Sequence, residues 1–216
     1  MKNKTSILLL FLTFLFVNVG NADAQQKHEY VDLDLPSGTL WATTNVGADN
    51  PEDYGDYFAW GETSTKSTYS RNNYKHGNGS ENDVSKKYNN SDDKNTLEKS
   101  DDAAAANWGS DWCIPTQEQF QELKDKCTWT WRSFNGKKGY NVKGQNGKSI
   151  FLPAAGYKGE DGTPLNVGSY GDYLSSSLLS YPYVVRGLCF YSSGVYICDF
   201  ENIGHGTSVR PVRSKN

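Results

Sequence analysis

Two runs of β-branched and aromatic residues near the C terminus constrain the fold more than any other feature of this sequence. Residues 184–191 and 195–200 have the composition of β-strands, and a short Ser-Ser-Gly segment separates them. Such runs joined by a glycine-containing turn are typical of a β-hairpin. A two-residue turn ending at Gly194 is the simplest register, because Gly194 can take a positive φ angle. This register places Cys189 directly opposite Cys198, where Cα atoms are about 4.5 Å apart and a disulfide can form.

The four cysteines of the chain are expected to form two disulfides. They are Cys113, Cys127, Cys189 and Cys198. Four cysteines allow three pairings, and we favour Cys189 with Cys198 from the hairpin register. The remaining pair, Cys113 with Cys127, would connect the start of a predicted helix to its end. Free buried thiols are the alternative, because an even number of cysteines also arises by chance.

The outer side of the hairpin and the segment that follows it form the candidate binding surface. Residues 199–207 combine charged and amide side chains with glycines, whereas Val209 and Val212 lie in a short strand that we expect to be buried. A polar segment between two anchored strands is held rigidly toward solvent, where binding residues are frequent. The candidate ligand-binding residues are Tyr196, Asp199, Glu201, Asn202 and His205. Arg210, between the two valines, is assigned to structure, through an internal ion pair or contacts with carbonyl groups.

Capping signals predict two helices. Residues 116–119 match a capping box ahead of apolar residues at helical spacing, with Lys124 and Lys126 in the last turn. Residues 100–102 place a serine and two acidic side chains before four alanines, which predicts a shorter helix with a capped N terminus.

Asn-Gly pairs punctuate the strands that follow. The pairs at 135–136 and 146–147 predict turns between strands at about 129–134, 140–142 and 149–153. In contrast, residues 63–99 are rich in Ser, Thr, Asn, Asp and Lys with only single aromatic residues, which is typical of a long, solvated surface excursion. Residues 156–171 are also assigned to loop.

The N terminus has the order of a secretory signal peptide. Two lysines precede the apolar residues 7–17, and small residues surround Ala24. We expect cleavage after Ala24, because small residues precede a signal-peptidase site. Residues 25–216 would then form one domain without a membrane span, since residues 7–17 are too few to cross a bilayer that needs about 20. The expected location is secreted, periplasmic or at the cell surface, and a membrane anchor is the alternative.

The charge balance argues against nucleic-acid binding. Of the 22 basic and 25 acidic residues, cleavage removes Lys2, Lys4 and Asp23, which leaves 20 basic and 24 acidic residues and a net charge of −4. A mildly acidic chain does not provide the clustered Lys and Arg that phosphate binding requires.

Five motifs together resemble one known family. They are LPSGTLWA at 35–42, GDYFAWGET at 55–63, WCIPT at 112–116, LPAAG at 152–156 and SVRPV at 208–212. In combination they are similar to the Fibrobacter succinogenes major paralogous domain, and the resemblance covers essentially the whole chain after residue 24. The chain departs from that pattern at Cys113, where an arginine is frequent, and at Leu174, where a tryptophan is usual.

The resemblance implies an α+β, C-type-lectin-like fold, in which two helices flank small, twisted antiparallel sheets with long loops. Similar folds occur in the C-terminal domains of collagen-like bacterial adhesins and in formylglycine-generating enzymes. They also occur in the variable proteins of diversity-generating retroelements. In these variable proteins, the segment that matches the region between the hairpin turn and SVRPV carries the variable contacts.

The function expected from the sequence is that of a secreted or cell-surface binding module for an unknown glycan or protein, without catalysis or a cofactor. The 14 tyrosines and 6 tryptophans offer large contact area at low conformational-entropy cost. No phosphate-loop, HExxH, GxSxG or EF-hand motif occurs, and neither do the calcium-binding triplets of C-type lectins.

Two other functions remain open at this point. The resemblance to formylglycine-generating enzymes, whose paired thiols bind copper, implies a copper-dependent thiol oxidase that uses Cys189 and Cys198. A structural, matrix-type protein is the second alternative. A metal site at Asp199, Glu201 and Asn202, or an acid–base cluster around His205, is less well supported, because such groupings arise readily in polar loops.

Overall fold

The computed structural model describes residues 28–77, 79, 86–89, 91–179, 184–200 and 202–215. These residues form a mixed structure that is mostly strand, with two α-helices and four small antiparallel sheets. The prediction of an α+β fold is confirmed. Within the described ranges, no helix is long and apolar enough to cross a membrane.

The elements follow one another in chain order. Up to residue 126 the chain forms β1 (Tyr30–Asp32), β2 (Leu40–Ala42), β3 (Tyr57–Phe58), α1 (Ala103–Trp108) and α2 (Gln117–Lys126). It continues with β4 (Thr128–Phe134), β5 (Lys137–Lys143), β6 (Ser149–Pro153), β7 (Tyr157–Lys158) and β8 (Pro164–Leu165). The last strands are β9 (Tyr170–Leu178), β10 (Val185–Tyr191), β11 (Gly194–Phe200), β12 (Gly206–Ser208) and β13 (Val212–Arg213). Residues 156–171, expected to be loop, therefore contain the short hairpin of β7 and β8.

The last two strands join different sheets and close the fold. The four sheets have the strand orders β1-β2-β13, β11-β10-β9, β3-β12-β7-β8 and β4-β5-β6. Strand β12 pairs with β3 and β7, whereas β13 pairs with β2. Val209 and Val212 are buried, as the sequence predicted. The segment between β11 and β12 is thus held by paired strands at both of its ends.

Arg210, between β12 and β13, is buried and donates hydrogen bonds to main-chain oxygens and to a side-chain amide. Its Nη1 donates to the carbonyl oxygens of Ala42 and Thr43 at 3.1 and 3.2 Å. Its Nη2 donates to the Phe151 carbonyl oxygen at 3.0 Å, and its Nε donates to Asn45 Oδ1 at 2.8 Å. The prediction that Arg210 is structural, through carbonyl contacts, is confirmed.

Both helices begin at the predicted caps. Asp102 accepts hydrogen bonds from the N–H groups of Ala104 and Ala105 at the start of α1. Thr116 and Gln119 form the predicted capping box of α2. The apolar face of α2 packs Phe120 into the main core cluster, against Trp41 at a ring separation of 5.6 Å. The sheet of β9, β10 and β11 contributes Tyr173, Leu188 and Phe190 to the same cluster.

Residues 63–99, expected to be a solvated loop, bury several aromatic side chains. These are Tyr69, Tyr74 and Tyr88. They belong to a cluster that also contains Leu174 of β9. Tyr69 lies so close to β12 that a Cβ atom at Gly206 would be 2.8 Å from its ring. The expectation of a solvated loop is wrong for these side chains. Single aromatic residues in a polar sequence form no apolar run, yet each of them can still be buried against the sheets.

Asp101 holds the same segment through charged hydrogen bonds. Lys75 Nζ and Tyr88 Oη donate to its carboxylate at 2.9 and 2.7 Å, and Lys87 Nζ donates to it as well. Burial alone would raise the pKa of Asp101, but the hydrogen bonds from Lys87, Lys75 and Tyr88 outweigh this effect and lower the pKa.

The terminal hairpin forms where it was predicted, but with a register shifted by two residues. The turn consists of Ser192 and Ser193, and Gly194 is the first residue of β11. The predicted register would have placed Asp199 opposite the buried Leu188. In the observed register Leu188 faces Ile197. The predicted turn is wrong because local glycine preference yields to the pairing of apolar residues on the core side of the sheet.

The shift by two residues keeps both hairpin cysteines on the same face of the sheet. Cys189 now faces Tyr196, and Cys198 faces Gly187, so the cysteines are diagonal rather than direct neighbours. Their Cα atoms are 5.9 Å apart and they form a disulfide. The Cys189–Cys198 bridge is therefore confirmed, although the direct cross-strand placement is wrong.

The second predicted bridge, between Cys113 and Cys127, does not form, and both cysteines are free. Cys113 pairs by its main chain with Val212, whereas Cys127 follows the last residue of α2. A helix of ten residues lies between them, and at about 1.5 Å per residue its ends are too far apart for a disulfide.

Candidate binding site

A surface pocket of about 350 Å³ lies where the sheet of β9, β10 and β11 meets β7 and β12. Its lining residues are Tyr157, Tyr170, Asp172, Leu174, Asp199, Phe200, Asn202, His205 and Thr207. Aromatic rings, two carboxyl groups and one amide thus converge on one concavity. This combination of apolar area and a few polar groups is typical of small-ligand sites.

The alternation of β9 explains how polar side chains reach this pocket. Tyr173 lies in the main core cluster, and successive side chains of a strand point to opposite faces. Asp172 and Leu174 therefore lie on the outer face, where both line the pocket. Asp172 is paired with Cys189 of β10, so the hairpin disulfide lies on the same face, next to it.

Asp172 is the polar residue in the pocket that the protein itself leaves least satisfied. Its side chain is only 6% exposed. Its Oδ1 atom is buried and has no hydrogen-bond partner among the described residues. Burial raises the pKa of this carboxyl well above its ordinary value, because a charged carboxylate loses its hydration. A buried carboxyl without a partner is costly to the fold.

His205 and Tyr157 form an ordered aromatic wall of the pocket. Their rings stack with centroids 5.2 Å apart and an interplanar angle of 20°. Asn202 Nδ2 lies 2.8 Å from His205 Nε2, and Asn202 Oδ1 accepts a hydrogen bond from the Gly204 N–H group. The short loop between β11 and β12 thus fixes the orientation of the His205 ring.

The protonation of His205 follows from its surroundings. Burial lowers the pKa of His205, and so does the nearby charge of Arg71, whereas Glu160 raises it. The net shift is downward, so the neutral ring predominates at neutral pH. In the neutral state Nε2 can accept the hydrogen bond that Asn202 Nδ2 donates.

A series of tyrosine rings continues from the pocket to the tip of the hairpin. Tyr157 meets Tyr170 edge to face at 6.4 Å, and Tyr170 lies 4.7 Å from Tyr191. Burial raises the pKa of Tyr170, and the neighbouring Asp172 raises it further. Tyr191 is exposed at the end of β10. The wall of the pocket therefore extends along the outer face of the sheet.

The structure places only some of the predicted site residues in this pocket. Asp199, Asn202 and His205 line it. Asp199 also accepts a hydrogen bond from Arg186 Nε at 2.9 Å. Tyr196 is 48% exposed on the outer face of β11 but does not line the pocket. Glu201 lies outside the described residues.

Three residues that line the pocket were not predicted from the sequence: Tyr157, Tyr170 and Asp172. The two tyrosines were missed because residues 156–171 were assigned to loop, which left the edge of β9 unrecognised. A signal for Asp172 exists in the sequence, since aspartate is rare in strands and here directly precedes the apolar pair at 173–174. An acidic residue at such a position needs either a partner or a ligand.

Across the residues that the structure describes, no group of three or more His, Cys, Asp or Glu side chains is arranged to hold a metal ion.

Comparison with known proteins returns no family model, no curated protein and no solved structure that matches this chain. The resemblance to the major paralogous domain and the C-type-lectin-like assignment therefore stay predictions.

Proposed function

We propose that this chain is a non-catalytic extracellular binding module that holds part of a glycan or a protein ligand in the pocket around Asp172. The observation that carries the proposal is the unpartnered Oδ1 atom of Asp172, which is buried at a concave surface. Because an unpaired buried carboxyl destabilises a fold, a ligand that supplies its partner accounts for its presence.

The surroundings of Asp172 support recognition. Tyr157 and His205 are stacked, and Asn202 holds the His205 ring in place. Preorganised aromatic faces and amide groups bind with little loss of conformational entropy. Tyr191 and Tyr196, exposed on the hairpin, would contact the parts of a larger ligand that lie outside the pocket.

The two alternatives are distinguishable from this proposal. A copper-dependent thiol oxidase needs Cys189 and Cys198 as thiols, and they are joined in a disulfide. Thiol titration and copper binding before and after mild reduction test that activity directly. If the protein is purely structural, it should bind no ligand selectively under any condition.

Glycan and protein arrays test the proposal. The secreted wild-type protein should bind a limited set of ligands, and Asp172→Asn should weaken that binding by about tenfold or more, since a partner of a buried group is lost. Asp125→Asn, an exposed change on α2, is the matched control. Equal binding by wild type and Asp172→Asn, with both proteins folded, would place the site elsewhere.

A further inference from the structure

The charges around the pocket indicate the kind of group that it accepts. Among the described residues that line it, Asp172 and Asp199 are acidic and none is Lys or Arg. Arg186 is engaged by Asp199 at 2.9 Å, on the side of the hairpin. The His205 ring adds no positive charge at neutral pH, because its pKa is lowered. Glu160 and Arg71 affect the pKa of His205 in opposite directions, and neither lines the pocket. The pocket lining itself therefore offers carboxyl groups and no cationic side chain to a ligand.

The aromatic rings of the pocket also favour a cationic ligand group. The faces of Tyr and Phe rings carry negative partial charge and attract cations within about 6 Å. Tyr157, Tyr170, Phe200 and His205 all line the pocket. Together with the buried carboxyl group of Asp172, they form the combination of rings and an acidic group that binds ammonium ions.

We infer that the pocket receives an alkylammonium group, as on a lysine side chain or an amino sugar, which pairs with Asp172 and lies against the surrounding rings. This inference rests on the proposed function and specifies the ligand of the same site. The ammonium group supplies the hydrogen-bond donor that Asp172 Oδ1 does not find within the described protein. A neutral hydroxyl group could also donate a hydrogen bond to this oxygen. Only a cation would, in addition, be attracted electrostatically by the rings and by Asp199.

Binding of a cation changes the protonation of Asp172. Burial favours the neutral carboxyl in the free protein, and a bound ammonium favours the carboxylate, so binding shifts Asp172 toward release of its proton to the solvent. The other titratable groups that face or influence Asp172 are Tyr170 and Tyr173 on β9, Tyr157 on β7, Asp199 on β11 and His205 before β12. Burial raises the pKa of Tyr170 and Tyr173, so neither releases a proton at neutral pH.

Four small probes separate charge from ligand type. Nα-acetyl-lysine amide and galactosamine carry the ammonium group, whereas Nα-acetyl-norleucine amide and galactose are their neutral counterparts. Calorimetric titration of the secreted protein at constant ionic strength should show at least one cationic probe binding about tenfold more tightly than its neutral counterpart. The preferred cationic probe distinguishes a peptide ligand from an amino sugar.

Two further measurements connect the result to Asp172. Asp172→Asn should abolish the difference between cationic and neutral probes, whereas Asp125→Asn should preserve it. Titration in phosphate and in Tris buffer should give different enthalpies for the wild type, because a proton is released on binding.

The outcomes separate this inference from the proposed function. Galactose binding as tightly as galactosamine, with binding reduced by Asp172→Asn, would overturn the inference and leave the pocket as a site for neutral ligands. No binding of any of the four probes at millimolar concentration would also overturn it, and the arrays would then decide the proposed function on their own.

Discussion

Arg210, between β12 and β13, and Asp172, in β9, are both buried, with exposed fractions of 1% and 6%. Their hydrogen-bond partners differ. Every nitrogen of the Arg210 guanidinium donates to an oxygen, three of them in the main chain. Asp172 has an oxygen without any partner among the described residues. A buried polar group whose hydrogen bonds are made within the protein costs less to bury than one that is left without a partner. Arg210 therefore has the contacts of a structural residue, whereas the unpartnered oxygen of Asp172 is the basis on which we propose it as a binding residue.

Arg210→Ala removes a buried side chain that has hydrogen-bond partners, and it should have the largest effect on stability. The change leaves Asn45 and three carbonyl oxygens without their donor and creates a cavity, so we expect a loss of about 3–5 kcal/mol in the free energy of unfolding. Denaturant unfolding measures this loss. Arg213→Ala, on the partly exposed β13, is the control and should cost less than about 1 kcal/mol. A loss of similar size in both variants would contradict the special role of Arg210.

Asp101 is a buried aspartate whose carboxylate, unlike the Oδ1 atom of Asp172, has hydrogen-bond partners among the described residues. Asp101→Asn weakens the hydrogen bonds from Lys75, Lys87 and Tyr88. We expect a loss of about 2–3 kcal/mol at pH 7. The folded-state pKa of Asp101 is lowered, so this contribution is present above pH 3.8 and disappears as the pH falls through the folded-state pKa. Denaturant unfolding of the wild type and the variant at pH 7 and pH 3 would show whether the difference shrinks in acid.

Asp172→Asn should raise the stability of the protein at neutral pH, whereas Arg210→Ala and Asp101→Asn should lower it. The folded-state pKa of Asp172 is raised, so the folded protein keeps a proton that the unfolded chain loses, and stability falls as the pH rises above 3.8. The variant removes this penalty and should therefore be more stable than the wild type at pH 7. The gain should vanish near pH 3, where Asp172 of the wild type is protonated in both the folded and the unfolded state. A variant that is less stable than the wild type at pH 7 would show that Asp172 has a structural partner.

Tyr196→Ala should have the smallest effect on stability. Its ring is 48% exposed on the outer face of β11, so we expect a change below about 0.5 kcal/mol. Thermal unfolding checks this, and array binding shows whether the ring contacts a ligand outside the pocket. Phe190→Ala on the core side of β10 is the destabilising counterpart. A large loss of stability in Tyr196→Ala would mean that the ring is structural.

The sequence predicted those elements whose cause is local. The capping box at Thr116, the Asn-Gly turn at residues 135–136 and the bracketing of Arg210 by valines all have short-range physical reasons, and the structure contains each of them. The hairpin register was not predictable in the same way. It depends on Leu188 facing Ile197 rather than on the preference of glycine for a turn.

The candidate site was predictable only in part, for a similar reason. The polarity of residues 199–207 identified Asp199, Asn202 and His205. The proposed role of Asp172 rests on the lack of a described partner for its Oδ1 atom. The sequence shows an aspartate next to an apolar pair, but only the folded structure shows that this atom has no described partner. Tyr157 comes from a different sheet than Asp172, so only the assembled fold brings them together.

Carbon-13 NMR of the aspartate carboxyl groups tests the central claim most directly. Asp172→Asn assigns the resonance of Asp172, and Asp101→Asn assigns that of Asp101. We predict that Asp172 titrates well above the ordinary value of 3.8 and that its midpoint falls when an ammonium probe is added. Asp101 should titrate below 3.8 in the same experiment. A midpoint for Asp172 at or below 3.8 in the ligand-free protein would contradict the claim, because it would show a carboxylate that the protein already satisfies.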